Sequence, residues 1–77
     1  PRRLAIEVHE EDDAIIALVQ RAGIQPDGLR IAVTGDMLQV ELEQDDQSWS
    51  GECRLPVAVD EARRTLTAAP GLVKLAW

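Results

Sequence analysis

His9 and Cys53 are the only imidazole and the only thiol in the chain. Together they would be the minimum needed for a nucleophile and its base. Their settings argue otherwise. His9 stands beside Glu10 at the start of a run of acids, the place of a solvated surface residue, and Cys53 alternates with Trp49, Gly51 and Leu55 as a small packing side chain. A lone cysteine excludes an intramolecular disulfide and a zinc site built from cysteines. The acids of "EEDD" (10–13) and "QDD" (44–46) lack the spacing of a calcium loop and read as turns. "TGD" (34–36) has one glycine and no helix after it, so it makes no phosphate cradle. Pro1 invites comparison with enzymes that use an N-terminal proline amine as base, and no other residue supports that use. No catalytic, cofactor-binding or metal-ligating residue is therefore expected, no cofactor is implied, and an enzyme is not expected.

What remains is a scaffold. At 77 residues the chain makes one domain, 1–77, close to the lower limit for folding on a single core. Fourteen acids against eight bases give a formal charge of −6, which disfavours nucleic acid as a partner. No apolar run reaches the roughly 20 residues that span a bilayer, so no membrane partner is expected. The single cysteine and the lack of a signal-peptide pattern point to a cytoplasmic setting. With two Trp and no Phe or Tyr, the core must be aliphatic, anchored by Trp49 and Trp77.

Alternation marks strands at 4–8 (Leu4, Ile6 and Val8 on one face), 29–33 (Leu29, Ile31, Val33), 37–43 (Leu38, Val40, Leu42), 49–55 (Trp49 to Leu55) and 72–77. Turn chemistry separates them: the acids at 10–13, "QPDG" at 25–28, Gly35-Asp36, and the polar loop 44–48. Two stretches can be read either way. "AIIALV" (14–19) carries a helical face, with acids before it and Gly23 after it, yet it is also a short buried apolar run. "DEARRTLTAA" (60–69) is either a helix capped by Asp60 and stopped by Pro70-Gly71, or an irregular crossing followed by a strand at 64–68. Propensity favours helices, in the order β-α-β-β-β-α-β. That α+β, ferredoxin-like arrangement resembles ACT-type regulatory domains, which sense small ligands or dimerise within larger proteins.

The punctuation also resembles that of the alpha-crystallin domain of small heat-shock proteins. In the first half the matching features are Glu10, Asp12, Gly23, the "TGDML" turn and Val40. In the second they are Leu55-Pro56, Val59-Asp60 and Gly71-Leu72-Val73. The resemblance covers nearly the whole chain. It departs at Ala22-Gly23, where the family has Pro-Gly, at Gly51, where a strand-borne Arg is usual, and at Leu66, where Ala is usual. Only the residues from Glu43 to Arg54 separate the two halves, where typical bacterial members carry a long excursion whose extra strand exchanges between subunits. The family's C-terminal Ile-x-Ile tail is not in this sequence.

This resemblance implies an all-β, immunoglobulin-like antiparallel sandwich, with 14–19 and 64–68 as strands against their propensity. It implies an ATP-independent, chaperone-like module whose partners are exposed apolar segments of unfolded or partner proteins. Ile31, Val33, Leu66 and Ala68 would border the groove that takes them. With the dimer-making excursion missing, a monomer or a weak homodimer is expected.

Overall fold

In a computed structural model that describes residues 2–77, alternation and tight turns dictate the architecture. The strands are β1 (Arg2–Arg3), β2 (Ala5–Glu11), β3 (Ala14–Gln20), β4 (Leu29–Thr34), β5 (Met37–Gln44), β6 (Gln47–Arg54), β7 (Thr65–Ala69) and β8 (Leu72–Ala76). They form two four-stranded sheets, in the orders β1-β6-β5-β4 and β2-β3-β8-β7. Every pairing is antiparallel except β1 on β6, which is parallel and two residues long.

Each hairpin turns on two residues that tolerate the bend: Asp12-Asp13, Gly35-Asp36, Asp45-Asp46 and Pro70-Gly71. Positive φ falls where the backbone reverses, at Asp12 (50°), Gly35 (64°), Asp45 (56°), Asp46 (59°) and Gly71 (73°). Short polar Asp and Gly are the residues that occupy this region most cheaply. β5 and β6 thus join directly, with no strand between them.

The helices favoured by local propensity do not form, and the α+β reading is corrected. β3 is an inner strand between β2 and β8, with Ala17 paired to Leu75 and Val19 to Val73. Its apolar residues on both faces meet neighbours on both sides, and this long-range pairing outweighs a modest helix preference. Residues 60–69 follow the crossing-and-strand alternative. The Asp60 carboxylate accepts from the Ala62 backbone N–H at 3.0 Å, but it caps only a single 3₁₀ turn, Glu61–Arg63. β7 then pairs with β8 from Thr65 opposite Ala76 to Ala69 opposite Leu72.

The interior is aliphatic, as the composition requires. Leu38, Val40 and Leu42 of β5 pack with Leu4, Ala17, Val19, Leu55, Val73, Leu75 and Trp49. Arg21 stacks over Trp49, 3.9 Å from the ring centroid, and closes that end of the core. No polar or charged side chain is buried among the described residues.

Candidate functional site

The positions expected to border a groove fall on two edge strands. Ile31 and Val33 lie on β4, the edge of the first sheet, and Leu66 and Ala68 on β7, the edge of the second. Ile6 of β2 packs against Gly51 of β6, so the β2 end of one sheet covers the β1–β6 end of the other. The two strand orders then run in the same sense, which brings the β4 and β7 edges to a common flank of the sandwich.

Pairing register gives the direction of each side chain, because directly opposed residues share a face. Ile31 opposes Val40 and Val33 opposes Leu38, both fully buried, so both β4 residues face the interior; each is half-buried against the core. Leu66 opposes Leu75 and Ala68 opposes Val73, again fully buried partners. Yet Leu66 is 42% exposed and Ala68 is exposed. The β7 side chains therefore face the inner side of their sheet without being covered. That mismatch between direction and burial leaves Leu66 and Ala68 open to solvent on the inner side of β7.

Three features of this flank carry no signal in the sequence. The Glu61 carboxylate accepts from Arg64 Nε at 2.8 Å and from Trp77 Nε1 at 2.9 Å, tying the entry of β7 to the end of β8. The Gln44 side chain accepts from the Gln25 N–H and donates to the Gly23 carbonyl, each at 2.8 Å, and so fixes the loop that enters β4. A Cβ on Gly28 would collide with the Glu43 carbonyl oxygen, so this glycine lets the 3₁₀ turn Pro26–Gly28 lie directly on β5. Each depends on residues at least 15 positions apart meeting in space, apart from the Arg64–Glu61 contact, which is local.

The residues considered for chemistry lie on different strands, His9 on β2 and Cys53 on β6. His9 Nε2 lies 3.3 Å from Glu7 Oε2, both exposed on the outer face of β2. Cys53 is half-buried against the core on β6, and burial raises its thiol pKa, the opposite of activation. Pro1 lies outside the described residues. No three His, Cys, Asp or Glu side chains converge as metal ligands among the described residues.

The raised thiol pKa carries a testable sign. The unfolded thiol ionises first, so its share of stability is intact below the ordinary thiol range and is lost as pH rises from there through the raised native value. Cys53 is expected to react with a maleimide more slowly in the native protein than in the urea-unfolded chain at one pH. Equal rates in the two states would contradict the placement.

Against known proteins, a scan of family models finds no match, and a search of curated proteins finds none. Among solved structures, the chain is similar to heat shock protein 16.0 from Schizosaccharomyces pombe, with a TM-score of 0.76 and 18% sequence identity. The alignment covers 96% of this chain and 64% of that one, so this chain spans less than two thirds of its length. At that identity the likeness is one of fold. The chain is an antiparallel β-sandwich of the alpha-crystallin type.

Proposed function

We propose that the domain is an ATP-independent, chaperone-like interaction module of the small heat-shock kind, which holds exposed apolar segments of partner proteins in the slot between β4 and β7. The observation that supports this reading is the exposure of Leu66 and Ala68 on the face where their cross-strand partners are fully buried. An aliphatic side chain left open beside a free sheet edge gives an extended peptide both things it needs: backbone groups to pair with and an apolar surface to cover. Ile31 and Val33 would form the opposite wall. The fold likeness to a heat shock protein supports the same reading. Because a two-residue turn joins β5 to β6, the module would act as a monomer or a weak homodimer.

The test is suppression of aggregation of a heated client protein without nucleotide, together with titration of a fluorescent aliphatic peptide. Leu66→Asp should weaken peptide binding about tenfold, the equivalent of roughly 1.4 kcal/mol, while leaving the folded spectrum intact, because the site is exposed. If the unaltered domain neither protects the client nor binds the peptide, the proposal fails.

A further inference from the structure

A second surface, at the end of the β2–β3 hairpin, has a different chemistry. The hairpin turn, the crossing stretch after Pro56 and Trp77 line an open cleft of about 730 Å³. Its floor is apolar: Ile15, Val59 and Trp77 are half-buried against the core, and Val57 is left 52% exposed. Its rim is anionic. Glu10, Asp12, Asp13 and Asp60 line it against the one cation Arg63, and among the described residues none of the four carboxylates is in an ion pair. Val57, Ala58 and Val59 make no backbone hydrogen bond among the described residues, so the wall also offers backbone donors and acceptors.

We infer that this cleft docks an extended cationic–apolar peptide segment, one with Arg or Lys next to an aliphatic residue. The apolar floor takes the aliphatic side chain, and the unpaired carboxylates above it hold the cations. The acids do not converge as metal ligands, so they act as a field around the floor rather than as a coordination site. Nucleic acid and anionic lipid are repelled by the same rim, in a chain of net charge −6. This surface is separate from the β4–β7 slot, whose proposed occupants are apolar.

The experiment uses the whole chain, with backbone amide NMR to locate binding. The probes are a hexapeptide alternating valine with arginine and its valine–glutamate counterpart. The arginine peptide should shift the amides of Asp13, Ile15 and Val57 to Asp60, and the glutamate peptide should not. The double variant Asp12→Asn/Asp13→Asn should weaken binding about tenfold at low salt, as should raising salt from roughly 0.05 to 0.2 M. Asn tolerates the positive φ at position 12, so the hairpin should persist. Leu66→Asp should leave this binding unchanged, which separates its failure from failure of the slot. Equal binding of the glutamate peptide would overturn the inference. So would equal shifts with spermidine alone, which would mark simple counterion binding. Shifts confined to β4 and β7 would also overturn it, as would concentration-dependent shifts of the same amides without peptide, which would make a second copy of the chain the occupant.

Discussion

Leu38→Ala is expected to leave the domain largely unfolded at 25 °C. Leu38 is fully buried in β5, an inner strand of the first sheet, and opposes Val33 on one side and Cys53 on the other. Truncating a buried leucine removes its transfer free energy and leaves a cavity, together about 3–5 kcal/mol. A core of this size gives roughly 3–5 kcal/mol of net stability in all, so the loss consumes most or all of it. Urea unfolding followed by the fluorescence of Trp49 and Trp77 checks this: the variant should lack a folded baseline or begin to unfold at the lowest denaturant. A loss below about 1 kcal/mol would mean that Leu38 is not packed as described. Leu66→Ala supplies the contrast, since its side chain is 42% exposed and should cost far less.

Gly28→Ala has the second large effect, and for another reason. Gly28 does not have a positive φ, so alanine meets no backbone penalty there. The obstacle is the Glu43 carbonyl, which an added methyl would strike. A carbonyl within a paired strand cannot swing aside as a side-chain tip can. Either the 3₁₀ turn Pro26–Gly28 lifts off β5 or the β5–β6 pairing near Ser48 shifts. Overpacking of this kind costs about 1–3 kcal/mol, a large share of the total. Gly35→Ala is the informative comparison: nothing lies within 4 Å of its Cβ position, but its φ is +64°. Its cost should be the left-handed backbone term alone, about 1–2 kcal/mol, and Gly35→Asn should recover part of it. Denaturant midpoints for the three variants separate steric from conformational loss. Matching effects of Ala and Asn at position 35 would remove the φ argument.

Gly51, where the resemblance noted in the sequence implies an arginine, has a structural account. A Cβ there would lie 2.7 Å from Ile6 Cδ1 and 3.2 Å from the Leu4 carbonyl oxygen. Glycine lets β2 close directly onto β6, and the Leu4 N–H donates to the Ser50 carbonyl at 2.8 Å beside it. A side chain at this position requires the tip of Ile6 to move and the Leu4 carbonyl to give slightly. Glycine at position 51 thus permits close sheet-to-sheet contact at the end opposite the β4 and β7 edges.

The sequence by itself determined the strands with clean alternation and the turns between them. "MLQVELE" could only bury Leu38, Val40 and Leu42 by lying as a strand, because its apolar period is two. The Gly35-Asp36 turn was legible between two alternating strands, whereas the polar loop read at 44–48 narrows in the structure to Asp45-Asp46; the count of two Trp and no other aromatics required an aliphatic interior. Local residues could not decide 14–19 or 60–69, since helix and strand both bury part of those stretches. Only tertiary pairing decided them: β3 gains partners on both sides, and β7 forms because Pro70-Gly71 returns the chain onto β8. The open state of Leu66 and Ala68 was equally invisible, because alternation tells which face a residue takes but not whether a second sheet reaches far enough to cover it. The carboxylate rim around Val57 likewise joins a hairpin turn to a crossing more than 40 residues later. Such proximity is set by how two sheets stack, a property of the whole chain that no local pattern of residues encodes.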